Sequence, residues 1–426
     1  MFKELLGNLY PYINQTEAMY TIIYAVLFWT MIGFTGITIL MILPLLIVFG
    51  VLYFYYYKLA YKDFPDNDEI EKLEDKIINQ HSNNLLYYHD NEKFTVIIDK
   101  NSIYNTELHW IYVPSQAKNA PTIVIIHGTA SSATCLSPIF KYLNKYFNIY
   151  ALDLPGFGRS HTDNNETLRG EIGVLYYVTL IKKFFETKKL KNIILVGHSW
   201  GAYISAYYSI HFKEHVKQLM LIEPPGLLPT FSKYGAYWAF VFKYKVIHLP
   251  SYLGKIGLMC AQSFFHLFKY NSYVLYSYIL NNSKNNWGPD IVGDHITYKW
   301  TGGYWNNSIM KKLINIPIPF TVFYGENDLI IPKEQKELLD KLYPESCVIL
   351  KNASHSPHTE SPKELCLKMF LSYKKMKNRR KHIKMDIKTV MEYFVDLKHL
   401  ENFKTSFNPT YTERITKILY NKHYLL

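Results

Sequence analysis

The sequence predicts an α/β protein built on a mostly parallel, eight-stranded sheet with helices on both faces. Two observations carry this. From Phe94 onward, short β-branched runs alternate with amphipathic stretches, the order of strand–helix–strand units. Runs such as IVII at 123–126 and IILV at 193–196 are apolar at every position, as strands covered on both faces require.

Taken in order, the first element precedes the sheet. No charged side chain occurs between Glu17 and Lys58, and a helix needs roughly 20 apolar residues to cross ~30 Å of hydrocarbon. Residues 1–62 are therefore expected to be a membrane anchor, crossing within 18–57 as one span or as a hairpin, with Gly33, Gly36 and Pro44 as places to bend. Lys58 and Lys62 just past the apolar run put the following body on the cytosolic side of an integral membrane protein, for example at the endoplasmic reticulum or a lipid droplet. Residues 63–93 turn polar and acidic, as in DNDEIEKLEDK, and read as a linker helix.

Strands are expected at 94–99, 107–113, 122–127, 147–153, 192–197, 218–223, 319–325 and 347–351, and helices at 136–146, 167–189, 200–212, 333–343 and 362–373. These make a core in two parts, 94–223 and 317–373. Between them, residues 224–316 interrupt the alternation and are rich in aromatics. They are read as a helical cap lining an apolar substrate path; an ordinary helical subdomain with a dry core is the alternative.

The 426-residue chain has 47 Lys and Arg against 35 Asp and Glu, a net +12, while 49% of it is hydrophobic. The charge is not spread evenly: residues 373–426 hold 13 Lys and Arg against 5 Asp and Glu, leaving the body nearly neutral. The basic tail, 374–426, begins with KKMKNRRKHIK, which suits an anionic leaflet through 374–384. No nucleic-acid-binding motif accompanies it, so no nucleic-acid partner is expected. Cys135, Cys260, Cys347 and Cys366 are scattered without metal-site spacing, and no metal or organic cofactor is expected.

The chemistry centres on Gly197-His198-Ser199-Trp200-Gly201, placed between an apolar run and a helical stretch. A serine hydroxyl becomes a nucleophile only when a tight strand–turn–helix thrusts its Oγ toward a base, and small flanking residues permit that turn. The base must be an imidazole and its orienting partner a carboxylate. Asp328 in YGENDLIIP and His355 in NASHSPHTESP follow in that order, each after an expected strand. His358 is the rival base and Glu223, at the end of the sixth expected strand, the rival acid. Backbone N–H groups of Trp200, at the positive end of its helix, and of Thr129, in the turn after TIVIIH, are the candidates for an oxyanion hole. His127 beside them is read as structural.

These motifs, with IIHG and LDLPGFGRS at 152–160, resemble the α/β-hydrolase fold serine hydrolases of lipase and esterase type, over about 94–373. LDLPGFGRS with VKQLMLIEPPG is similar to the branch of N-acyl phosphatidylethanolamine lipases and lipid-droplet lipase co-activators, which implies a lipid substrate. That branch carries a His-x4-Asp acyltransferase-like motif; here the spacing from His355 ends in Glu360. The combined expectation is a membrane-anchored serine hydrolase cleaving a carboxylic ester of a lipid, an acylglycerol or lysophospholipid, through an acyl-enzyme. A lipid acyltransferase on the same fold, or a non-catalytic membrane scaffold or co-activator, are the alternatives.

Overall fold

The computed structural model describes residues 67–82, 84–129, 131–163, 168, 170–227, 309, 313, 317–331 and 333–378. The expected anchor at 1–62, nearly all of the expected cap and the tail beyond Asn378 lie outside the described residues. Among the described residues no helix is long and apolar enough to cross a membrane.

The chain runs α1 (Asn67–His81), β1 (Tyr88–Asp99), β2 (Ser102–Val113), β3 (Thr122–Ile126), α2 (Ser137–Leu143), β4 (Asn148–Leu152), β5 (His161–Thr162), α3 (Gly170–Thr187), β6 (Ile193–His198), α4 (Trp200–His211) and β7 (Val216–Ile222). After residues 228–316 follow β8 (Phe320–Gly325), α5 (Lys333–Leu342), β9 (Cys347–Leu350), α6 (Pro357–Glu360) and α7 (Pro362–Asn378). The strands form one sheet in the order β1-β2-β4-β3-β6-β7-β8-β9, with β5 paired to β2. Pairing is parallel from β4 through β9 and antiparallel among β1, β2, β4 and β5.

Alternation along the central strands sets the two layers. Val124, Ile126 and Leu195 face a core shared with α3 and α4, including Leu175, Val178, Phe185, Ala202 and Tyr208. Ile123, Ile125, Ile194 and Val196 face a second core built with Ile139 and Phe140 of α2 and Leu365 and Met369 of α7. Each such side chain, fully buried, contributes about 1.5–3 kcal/mol, so both faces of the sheet are held.

The structure departs from the expected sheet in three places. It has nine strands, not eight. The extra one, β5, is two residues long and too short to carry a periodic pattern; it is held by Thr162 Oγ1, 3.0 Å from Thr106 Oγ1, and Thr106 Oγ1 lies 2.7 Å from the Tyr176 hydroxyl. β1 begins at Tyr88 rather than Phe94, because its polar first half pairs along β2. The helix expected in the polar linker is present as α1, but it packs on the body: Ile77 and Ile78 are buried, as is Glu74.

The burial of Glu74 has a chemical explanation. Its carboxylate accepts from the Thr134 hydroxyl, receives Arg159 Nη1 at 2.8 Å and lies 3.6 Å from His109 Nε2. Arg159 Nη2 also reaches Glu71 at 2.9 Å. His109 Nδ1 in turn meets Asp153 Oδ2 at 2.9 Å, and Asp153 also accepts the backbone N–H groups of Ala133 and Arg159. A buried charge persists only when paired and hydrogen-bonded, and this chain of groups satisfies it from α1 to β4's end.

Candidate active site

The site lies at the carboxyl ends of the parallel strands. At the end of β6 the chain turns sharply, and Ser199 adopts φ 49° and ψ −119° before α4 begins. A positive φ in a residue with a Cβ is uncommon, and here the turn is held by the Ser199 N–H donating to Ile222 O at 2.8 Å. The flanking glycines are required by approach of backbone to backbone. A Cβ on Gly197 would lie 2.3 Å from Gly201 O, and one on Gly201 would lie 2.3 Å from His127 O.

Two loops bring the partners. Asp328 follows β8, is buried, and its Oδ1 accepts the Ile330 N–H at 2.6 Å. Lys336 of α5 donates to the carbonyls of Gly325 and Asp328, each at 3.0 Å, pinning that loop. His355 follows β9; its Nδ1 is 3.0 Å from Asp328 Oδ2 and its Nε2 is 2.9 Å from Ser199 Oγ. An ionised carboxylate only accepts, so Nδ1 carries the proton and Nε2 presents its lone pair to the serine hydroxyl. Burial by itself raises the Asp328 pKa, but the hydrogen bond from His355 Nδ1, with the Ile330 N–H, outweighs it and holds the group well below the usual carboxylate range.

Neither rival residue hydrogen-bonds to the Ser199 hydroxyl, which His355 meets. His358 is buried on α6, packs edge-on to His198 with ring centroids 4.5 Å apart, and has no hydrogen-bond partner for Nδ1 among the described residues. Burial, with the neighbouring His355, pushes its pKa down to about 3, so it is neutral. His127 donates from Nδ1 to Gly128 O at 2.7 Å and accepts the Leu154 N–H on Nε2 at 2.9 Å, a structural use of both nitrogens. Glu223 directly follows β7, with its carboxyl group accepting the Gly325 N–H.

The oxyanion candidates lie on the two segments that border Ser199. Trp200 opens the twelve-residue α4. Thr129 follows Gly128, where a Cβ would lie 3.0 Å from Ser199 Cβ, so that loop runs against Ser199. His198 has a part the sequence reading missed: its Nε2 donates to His355 O at 2.7 Å. Only a contact between residues 157 apart in sequence carries that information, and no local pattern signals it.

Among the described residues, two groups bring ligand-type atoms within 4.8 Å of one another, Glu74/His89/His109 and Glu223/Asp328/His355. In the first, the Arg159 guanidinium already supplies the positive charge beside Glu74. In the second, both imidazole nitrogens are engaged by Ser199 and Asp328.

A strand–turn–helix serine, an acid after the next-to-last strand and a histidine after the last define a class of hydrolytic site. The chain belongs to the alpha/beta hydrolase fold family, which it matches over residues 121–362. It is similar to the monoacylglycerol lipase ABHD6 of Mus musculus, 23% identical over 57% of this chain and 73% of that one. It is also similar to the human (lyso)-N-acylphosphatidylethanolamine lipase, 31% identical over 30% of this chain and 38% of that one. A third relative, a 1-acylglycerol-3-phosphate O-acyltransferase of Arabidopsis thaliana, is 30% identical over 26% of each chain. The latter two likenesses span well under two thirds of the relatives' length.

Proposed function

We propose that this lipase- and esterase-like α/β-hydrolase cleaves carboxylic esters of lipids, with Ser199 as nucleophile, His355 as general base then acid, and Asp328 as its orienting carboxylate. The observation that carries the reading is the single imidazole lying 2.9 Å from Ser199 Oγ and 3.0 Å from Asp328 Oδ2. Ser199 Oγ attacks the acyl carbonyl while His355 Nε2 takes its proton, and the carbonyl oxygen becomes an oxyanion facing the Trp200 and Thr129 N–H groups. His355 returns the proton to the leaving alcohol. Water, deprotonated by the same nitrogen, then attacks the acyl carbonyl, and the Ser199 Oγ–acyl bond breaks as His355 returns that proton to Oγ, freeing the acid. Donors of this kind are worth about 2.7–4 kcal/mol each in comparable sites.

The lipid class is supported by the names of the relatives and by the sequence around the hydrolase body: the apolar stretch 18–57 as an integral anchor, and 374–384 as a contact for anionic lipid, with the body facing the cytosol. Labelling of detergent-solubilised protein by a fluorophosphonate probe, lost in Ser199→Ala, tests the nucleophile; folded wild type that does not label overturns it. A panel of acylglycerol and lysophospholipid esters tests the substrate class. Release of the full chain from membranes by a carbonate wash would reject the anchor.

A second reading, acyl transfer to a lipid alcohol, is favoured by the acyltransferase relative. Glu360, at the acidic position of the His-x4 spacing, is occupied as acceptor for the Ser354 N–H and hydroxyl. Acyl transfer to 1-acylglycerol 3-phosphate in competition with water distinguishes the two.

A further inference from the structure

Among the described residues, Glu223 is an acid beside the proposed triad that the mechanism above does not use. It is fully buried and is held at φ 48°, the left-handed region, so the end of β7 is bent in an uncommon way to place it. Oε1 accepts the Gly325 N–H. Oε2 has no N–H or O–H donor among the described residues, and what lies beside it is another acid: ligand atoms of Glu223, Asp328 and His355 fall within 4.8 Å of one another.

Two carboxyl groups sharing a buried place cannot both ionise. The donors decide which keeps the proton. Asp328 receives the His355 Nδ1–H and the Ile330 N–H, whereas Glu223 receives the Gly325 N–H alone. Nearby, Lys336 spends its ammonium on two carbonyls, and the Tyr324 hydroxyl accepts from Gln335 Nε2 at 3.1 Å. We infer that Glu223 is a protonated positioning residue whose carboxyl O–H donates to Asp328, holding that carboxylate square to His355 Nδ1. Burial first, and then the Asp328 charge, push the Glu223 pKa well above the usual carboxylate range. An orphaned acceptor thereby becomes a donor, and both buried oxygens are satisfied.

This inference rests on the proposed Ser199, His355 and Asp328 roles. It is tested on the full chain in detergent with a p-nitrophenyl ester, measuring kcat and KM against pH for wild type, Glu223→Gln and Glu223→Ala. The glutamine amide donates to Asp328 and accepts from Gly325, so kcat stays within about threefold and the acid limb of the pH profile stays in place. The alanine variant loses about tenfold or more in kcat at little-changed KM, the worth of one charge-assisted hydrogen bond. Infrared spectra at neutral pH show the carbonyl stretch of a protonated carboxylic acid, and it vanishes in Glu223→Gln. Full kcat in the alanine variant overturns the inference. So does an acid limb displaced downward by glutamine, which means that an anion has been removed, or absence of the infrared band. Wild type without Ser199-dependent turnover overturns the proposed function instead, and the infrared band then still decides where the proton sits.

Discussion

His198 Nε2 lies 2.7 Å from the carbonyl oxygen of His355, so the residue in front of the serine holds the loop that delivers the imidazole. A carbonyl only accepts, which places the proton on Nε2. Burial above all, helped by the neighbouring His358 and His355, keeps the His198 pKa well below the ordinary histidine value and the ring neutral. Replacing His198 with Phe removes the donor at similar bulk. The expected result is a fall in kcat of about tenfold with KM little changed, since one hydrogen bond to backbone is lost; steady-state ester kinetics check it.

The two neighbouring histidines are expected to separate sharply. His355→Ala removes the base that touches Ser199 and lowers kcat by about 10⁴-fold or more. His358→Asn, which touches neither Ser199 nor Asp328, stays within about tenfold of wild type. Parallel turnover measurements with a folded-state control decide, and the reverse ranking would reassign the base.

Gly201→Ala pushes a methyl group into backbone: its Cβ would lie 2.3 Å from His127 O and 2.4 Å from Ile126 O. Backbone of a central strand end has nowhere to go, so the variant is expected to lose about 3 kcal/mol or more, at the upper end of overpacking costs. Denaturant unfolding of the full chain measures this. An unchanged midpoint would contradict the tight elbow.

Arg159→Met strips the guanidinium from the fully buried Glu74 and leaves that charge with only His109 and the Thr134 hydroxyl beside it, at a cost of about 3 kcal/mol. Adding Glu74→Gln removes that charge and is expected to recover part of the loss. A double-mutant cycle by chemical unfolding gives the coupling; strictly additive losses would mean the pair is not coupled.

His109 and Asp153 make stability depend on pH in opposite senses. Burial by itself lowers the His109 pKa, but the Glu74 and Asp153 carboxylates outweigh it and raise the group. A raised imidazole stabilises fully below the unfolded value of about 6.5, and that contribution disappears as pH rises through the folded value. For Asp153, burial is again outweighed, here by His109 and the Ala133 N–H, and the pKa is lowered. Its contribution is present above the unfolded value of about 3.9 and is lost as pH falls toward the folded one. Accordingly, His109→Phe is expected to destabilise most between about pH 4 and 6.5 and progressively less on the alkaline side. Melting temperatures across pH test this, and a penalty that grew with pH would contradict it.

Much of the fold was legible because its cues are local. Every strand and helix expected within 94–223 and 317–373 has a counterpart in the structure, since apolar runs bounded by turns mark buried parallel strands without knowledge of their neighbours. Ser199 was legible for the same reason, as a strand–turn–helix needs small residues at fixed offsets. Other features were not. The two residues of β5 have no period to read, and α1 looked like a linker because Glu74, a charged residue, sits on its buried face. Its burial depends on Arg159 and Thr134, both far along the chain.

The sequence alone determined the alternation of the sheet, the position of the nucleophile turn and the order of serine, acid and histidine, because each is written in residues close together. Tertiary structure decided which histidine faces Ser199, that His198 holds the His355 loop in place, and that Glu223 and Asp328 share one buried site. Those are distances between chain segments brought together by the sheet, and a side chain's pKa and hydrogen-bond partners are set by such neighbours in space.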